Sequence, residues 1–270
     1  IALIRDTFRE ALARKIFWGL FGLSTLTIIF FLFLLNIDIV QGAMATVTLF
    51  GTTVNRVGDV DRWVRSTYAV VAAFLYWLGL FLAVFASAGL VPSILEPGRI
   101  ELLLSKPISR THLLIGRYIG NVLVISSIVI YLVLSVWIIL GIKTGIWPNR
   151  FLLSIATTIF VFAVLLTVVV LIGVLFDSAA LATMVPVALM IMSPILAQTS
   201  TIFKLLSSEW SRNVWRTCYY ALPKIYDVGK MTLDTIRRNP FEGYMPIWTS
   251  ALFGAIVFSV ALIVFARRDF

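Results

Sequence analysis

The sequence has little charge, one cysteine and one histidine, and each shortage excludes a class of protein. Of its 270 residues 13% are charged and 60% are hydrophobic, whereas soluble globular domains carry about 25% charged and about 45–50% apolar residues. The single cysteine, Cys218, excludes an internal disulfide framework, and the single histidine, His112, leaves little for a metal site. No phosphate-binding loop, zinc-protease motif or serine-hydrolase motif occurs. The composition predicts an integral membrane protein that is not itself an enzyme.

In place of charge, the sequence has long apolar runs. Six of them lack Asp, Glu, Lys, Arg and His over the length of about 20 residues that a helix needs to cross a hydrocarbon core. They predict membrane-spanning helices at about residues 16–37, 67–92, 117–142, 151–176, 178–202 and 244–266. The runs are apolar on all faces, which favours helices over the alternating strands of a β-barrel. The expected fold is all-α, with six transmembrane helices in one domain over residues 1–270.

The charge that is present is mostly positive and unevenly placed. The net charge is +9, and in so apolar a chain it indicates contact with anionic lipid headgroups rather than nucleic acid. Six spans put ten Lys and Arg residues on the side of both termini and five in the short loops opposite. Because cytoplasmic loops carry an excess of positive residues, both termini are expected in the cytoplasm.

Residues 204–242 do not fit this charge rule. They hold seven basic and four acidic residues, yet six spans place them outside. Five Trp and Tyr residues lie among the basic ones, which is typical of the membrane interface and, less often, of nucleic-acid surfaces. The segment is predicted to be an external region that re-enters or lies on the membrane.

The spans themselves contain few groups that indicate chemistry. No ionisable residue lies well inside any of them, which disfavours an ion-coupled pump. Asp177, at a span end, is expected to cap the fifth helix, and Pro186 and Pro194 are expected to break backbone hydrogen bonds within it. A path of Ser, Thr, Phe and aliphatic side chains suits an amphiphilic substrate.

Residues 1–16 are predicted to form an amphipathic helix. Apolar residues recur at helical spacing, and a basic polar face lies opposite them. Such a helix tends to lie in the headgroup layer. It serves either as a simple anchor or as a lever that also contacts a cytoplasmic partner. The residues predicted to form the contact surface of this interface helix are Arg5, Phe8, Arg9, Leu12 and Arg14.

The cytoplasmic loop between the second and third spans contains a second short helix. Pro97 and Gly98 predict a turn, and Lys106 followed by Pro107 ends the two helical turns from Arg99 to Ser105. A helix this short is marginal alone in water, so its leucines need a covering surface, either lipid or another protein. After it, Ser109 or Thr111 is expected to cap the next helix, and His112 is expected to contact that cap or a headgroup.

The sequence of this loop, EPGRIELLLSKPISR from Glu96 to Arg110, closely resembles the cytoplasmic loop of ABC-2-type permeases. These are the membrane subunits of one large class of ATP-binding-cassette transporters, and their loop typically reads E-x-G-T-x-E-x-L-L-S-x-P-I-S-R. Arg99 replaces the usual threonine. The opening and closing segments, residues 7–20 and 265–270, are also similar to the ends of that family, so the resemblance covers the whole chain.

The resemblance implies a role for each unexplained segment. The short helix would be a coupling helix that a separate ATP-binding subunit covers, the 1–16 helix would lie beside that subunit, and two permease copies would form a dimer, here expected to be a homodimer. ATP and Mg would be bound by the partner subunit and no cofactor by this chain. The residues of the expected coupling interface are Glu96, Gly98, Arg99, Ile100, Glu101, Leu103, Leu104, Ser105, Lys106 and Pro107.

Two functions remain open at this point. The first is export of an amphiphilic substrate through the inner (cytoplasmic) membrane, driven by ATP hydrolysis on the partner subunit. The second is a mechanotransmitting membrane subunit that drives signalling or maturation outside the cell without moving a substrate. A groove between the two copies that is wide enough for lipid favours the first, whereas a tightly packed, closed dimer interface with a bound external protein favours the second.

The topology can be tested by reporter fusions. Alkaline phosphatase fused after Asp227 is expected to be active, because six spans place that residue outside, and the same enzyme fused after Phe270 is expected to be inactive. An inactive fusion at Asp227, together with a fluorescent cytoplasmic reporter at the same position, would overturn the six-span arrangement.

Overall fold

A computed structural model describes residues 15–33, 35–40, 44–49, 52–57, 60–89, 109–205, 208–240 and 243–267. Within these ranges the chain is mainly helical, with one small sheet and a 3-10 turn at Asn149–Leu152. The helices are α1 (Lys15–Phe33), α2 (Val60–Ser87), α3 (Arg110–Thr144), α4 (Leu153–Phe176), α5 (Ala179–Ala197), α6 (Thr199–Leu205), α7 (Glu209–Ala221), α8 (Ile225–Arg237) and α9 (Met245–Arg267). The strands are β1 (Leu35–Val40), β2 (Met44–Leu49) and β3 (Thr52–Val57).

Five helices among the described residues are long and apolar enough to cross a membrane: α2, α3, α4, α5 and α9. The chain is therefore a multi-pass membrane protein. The apolar stretch of α1, Phe17–Phe33, is shorter than these five helices. Helix α3 has 35 residues, so at 1.5 Å per residue it is about 52 Å long and extends beyond a hydrocarbon core of about 30 Å.

The expected all-α class is confirmed for the bundle, and the structure adds one small sheet to it. Helix α1 ends at Phe33, and residues 35–37, which were assigned to the first span, belong instead to β1. The physical reason is visible in LNIDIV, where polar Asn36 and Asp38 alternate with aliphatic residues at the period of a strand. The strands form an antiparallel meander in the order β1-β2-β3, with Leu35 opposite Leu49 and Met44 opposite Val57.

The spanning helices run between two ends of the bundle. The sheet end carries the β-meander and the 3-10 turn, and the loop end carries Ser87 of α2 and Ser109 before α3. Helix α4 lies at the centre, because it packs against α2, α3, α5 and α9 and its Phe162, Leu165 and Val169 are fully buried. Two of its buried hydroxyls donate to carbonyls of their own helix, Thr157 to Leu153 at 3.1 Å and Thr167 to Val164 at 2.7 Å, so neither is left unpaired in the apolar interior.

Particular residues cap the ends of the described helices. Ser109 caps α3 as predicted, since its side chain accepts a hydrogen bond from the backbone N–H of His112 at 3.3 Å. Gly145, after α3, has φ of +67°, the left-handed conformation that glycine adopts without strain. The predicted role of Asp177 was wrong. It ends α4 with φ of +51°, and Ser178 caps α5 instead.

Helix α8 is seated inside the sheet end of the bundle. It packs against α2, α4 and α5, and its Ile225, Val228 and Ile236 are almost completely buried. At Gly229 the fit is so close that an added Cβ would lie 2.9 Å from the Tyr76 ring. That ring cannot withdraw freely, because its hydroxyl donates to the Ile225 carbonyl at 2.7 Å.

Replacing Gly229 by alanine is therefore expected to destabilise the protein by about 1–3 kcal/mol through overpacking. The measurement is the apparent unfolding midpoint of the purified chain in detergent. Gly22→Ala, in α1, is the matched control, since an added Cβ there meets nothing within 4 Å and alanine is the better helix former. Equal midpoints for the two variants would contradict the close seating of α8.

Candidate functional site

The residues predicted from the sequence to contact a partner lie outside the described residues. This holds for the coupling interface, residues 96–107, and for the interface-helix residues, 5–14. The structure does describe the two helices from which the coupling loop departs and to which it returns, and it describes the region 204–242 almost completely.

The helices on either side of the coupling loop are joined to each other at the loop end. The Asn121 amide of α3 donates to the Ser87 hydroxyl of α2 at 2.7 Å, and that hydroxyl in turn donates to the Ala83 carbonyl. On the α3 side, the Ser109 hydroxyl lies 2.5 Å from Nδ1 of His112, so the single histidine belongs to the helix cap. The loop is thus attached to two helices that are held together by a polar contact.

At the sheet end, α8 lies tilted into the bundle. Near its C-terminal end, Arg150 of the 3-10 turn donates to the Thr235 carbonyl at 3.4 Å. The carbonyl of Ile225, the first residue of α8, accepts a hydrogen bond from Tyr76 of α2. Tyr68, nearer the start of α2, instead donates to the carbonyl of Ile146, in the turn after α3. Tyr76 is eight residues beyond Tyr68, which corresponds to about 12 Å along the helix axis. The corner between α7 and α8 therefore lies deeper than the far end of α8.

The backbone of this corner, residues 222–226, forms hydrogen bonds with one hydroxyl from each of three spanning helices. Tyr76 of α2 donates to the Ile225 carbonyl, Ser193 of α5 accepts from the Tyr226 N–H at 2.9 Å, and Ser250 of α9 accepts from the Lys224 N–H at 2.9 Å. A chain that turns inside an apolar bundle must have its backbone groups satisfied in this way.

The side chain of Lys224 is buried at the same corner, 2% exposed. Its ammonium lies 3.9 Å from the ring centroid of Tyr219 and 4.7 Å from that of Tyr220, and such aromatic faces attract a cation. Burial lowers the pKa of the Lys224 amine, and the nearby Asp227 carboxylate opposes that shift. Asp227 itself accepts a hydrogen bond from the Tyr219 hydroxyl at 2.8 Å.

An apolar groove runs between α2 and α5. Its cavity volume is about 780 Å³, within the range of about 300–1,000 Å³ that is usual for small-molecule sites. The lining includes Phe74, Trp77 and Phe81 from α2 and Met190, Ile191 and Pro194 from α5. We call it the α2–α5 groove. It contains no charged side chain, so it suits a hydrocarbon chain.

A second cavity of about 240 Å³, which has charged side chains in a largely apolar lining, adjoins the groove. We call it the α8 pocket, because most of its lining comes from α8, including Lys230, Asp234 and Arg237. Ala73 and Trp77 line both cavities. Elsewhere, the described residues include no group of three or more His, Cys, Asp and Glu side chains placed to hold a metal ion.

These features define a class: a helical, multi-pass membrane protein with an apolar groove and a polar hairpin helix at one end. The sequence profile described as "ABC-2 family transporter protein" matches residues 1–269. The chain therefore belongs to the ABC-2 transporter family, the membrane permease components of ABC transporters, which work with an ATP-binding subunit. The resemblance found in the loop sequence is thereby confirmed. No curated protein matches the chain.

Sequence reasoning missed Lys224 and the groove. The basic residues of 204–242 were assigned together to an interfacial surface, yet Lys224 is buried whereas Lys230 and Arg237 are exposed. A local pattern does distinguish it, since Lys224 follows a Tyr pair and a proline and precedes Asp227 by one helical turn. The groove had no such pattern, because its apolar residues resemble any lipid-facing helix surface.

The hydroxyl of Ser250 offers a direct test of the corner. Ser250→Ala would leave the buried Lys224 N–H without a partner, and the expected cost is about 1–3 kcal/mol. Ser259→Ala is the matched control on the same helix, because its hydroxyl is exposed and donates only to the Ala255 carbonyl of its own helix. Thermal unfolding of both variants in detergent measures the difference. Identical stabilities would show that the α9 hydroxyl does not hold the corner.

Proposed function

We propose that this chain is the permease subunit of an ATP-driven exporter whose substrate is an amphiphile. A separate ATPase subunit binds ATP and Mg and hydrolyses the nucleotide, while this chain provides the path and binds no cofactor. The observation that carries the proposal is the α2–α5 groove, which is apolar throughout and large enough for an acyl chain.

The proposed topology has six spans, with the loop end in the cytoplasm. Helix α1 is the sixth span in this arrangement, since its 19 residues reach about 28 Å, close to the thickness of a hydrocarbon core. The sheet, the 3-10 turn and the α7–α8 hairpin then lie outside, and the chain lies in the cytoplasmic membrane with both termini inside. Trp210, 75% exposed, and Tyr220, 56% exposed, are placed on α7 as interfacial anchors would be.

The proposed coupling path begins at residues 96–107. A stroke of the ATPase subunit on this loop would act on α2 and α3 together, because Ser87 at the end of α2 is hydrogen-bonded to Asn121, about three turns into α3. Helix α2 also lines the groove and contacts α8 through Tyr76. Movement at the loop end is thereby linked to both the groove and the external hairpin through one helix.

The working unit is proposed to contain two copies of this chain, together with membrane lipid. Large apolar side chains remain exposed on the outside of single helices, among them Trp18, Phe85 and Trp248. In a bilayer these surfaces are covered by lipid tails or by a second permease. A homodimer needs only this one gene product, and it gives each ATPase subunit its own coupling loop.

A double substitution tests the coupling assignment. Glu101→Ala combined with Leu103→Asp is expected to lower capture of the cognate ATPase subunit about tenfold or more, because it removes a charge and places a carboxylate where an apolar contact is proposed. Membrane insertion should be unchanged, since both residues lie outside the spans. The measurement is co-purification of the ATPase with the tagged permease, alongside permease yield from membranes.

The matched control makes the same two kinds of change on the opposite side of the protein. Glu209→Ala with Val214→Asp alters exposed residues of α7 and is expected to leave ATPase capture at the wild-type level. Normal capture by the Glu101/Leu103 variant would refute the coupling assignment.

A further inference from the structure

We propose that the α8 pocket binds the anionic headgroup of the amphiphile whose hydrocarbon tail occupies the α2–α5 groove. The proposal rests on the function proposed above and assigns the substrate class: an anionic, lipid-like molecule taken from the membrane. It also assigns the orientation, with the headgroup towards the sheet end and the tail towards the middle of the bilayer.

The first argument is that the two cavities are neighbours. Ala73 and Trp77 line both, so the cavities lie side by side along α2. From Trp77 the groove continues along α2 to Phe81, away from the sheet end. Charged side chains are found at one end of the pair and only uncharged ones along the rest, which is the polarity of an amphiphile.

The second argument is charge. Lys230 and Arg237 both line the α8 pocket and lie seven residues apart, two helical turns along one face of α8. Neither forms a hydrogen bond or ion pair with another of the described residues. Asp234 lies between them, but its carboxylate accepts a hydrogen bond from the Asn239 amide at 3.4 Å. Two cations against one acid leave a net positive pocket, which favours an anion.

The third argument is the rest of the lining. Tyr226 borders the pocket at the corner between α7 and α8, and tyrosine prefers the boundary between headgroups and hydrocarbon. Arginine presents a planar fork of donors that matches phosphate or carboxylate oxygens, and lysine adds a point charge. A neutral amphiphile would leave both cations without this interaction.

The experiment uses a site-specific photocrosslinker in the full chain. Phe74→p-benzoylphenylalanine places the probe in the groove, and Leu252→p-benzoylphenylalanine places it on the outside of α9, where the side chain is 63% exposed. Each protein is reconstituted in nanodiscs of equal parts phosphatidylglycerol and phosphatidylcholine, irradiated, and analysed by mass spectrometry for the lipid in the adduct. The α9 probe measures the general attraction of a +9 protein for anionic lipid.

The groove probe is expected to capture phosphatidylglycerol about five- to tenfold more than the α9 probe does, relative to phosphatidylcholine. Lys230→Gln with Arg237→Gln should reduce this preference to the level of the α9 probe. Arg238→Gln, which removes a neighbouring charge from a residue outside the pocket lining, should leave it unchanged.

Three results would overturn the proposal. They are equal capture by the groove and α9 probes, a preference that survives the Lys230/Arg237 change, and an adduct of twice the chain mass, which would show that a second copy fills the groove. ATPase co-purification from the same preparations separates this failure from failure of the proposed function. A permease that captures its ATPase but shows no lipid preference remains a permease and loses only the headgroup site.

Discussion

The arrangement of the sheet end depends on one constraint: a chain that turns inside an apolar bundle must have its backbone groups satisfied there. Residues 224–226 meet this constraint with hydroxyls from Tyr76, Ser193 and Ser250, which belong to three different spans. Because each hydroxyl comes from a separate helix, the backbone groups of the corner are fully satisfied only when all three helices are in place. The corner therefore also fixes the positions of α2, α5 and α9 relative to one another.

The seating of α8 also explains how the α8 pocket, with its charged side chains, comes to adjoin the apolar groove. Its buried side, with Val228 and Ile236, packs into the bundle, while Lys230 and Arg237 remain exposed at its rim. Tilting the helix into the protein brings that rim against α2 just where the apolar groove ends at Trp77. A helix lying flat on the membrane surface would have kept its charges away from the groove.

The sequence predicted what depends on local patterns and missed what depends on packing. Long apolar runs predicted the spanning helices, and the serine before α3 predicted its cap, because composition and neighbouring residues decide both. The β-meander was missed because Leu35 to Val40 continues the apolar run of α1 with only two polar residues to mark the change of period. The burial of Lys224 was missed because it is decided by helices distant in sequence.

Helix α2 runs without interruption from Val60 to Ser87 and makes polar contacts at three depths of the protein. Tyr68 donates to Ile146 towards the sheet end, Tyr76 donates to Ile225 near the middle of the helix, and Ser87 accepts from Asn121 at the loop end. An unbroken helix carries displacement along its axis with little internal deformation. A displacement of α2 along its axis would therefore move the groove lining, the hairpin contact and the loop end together.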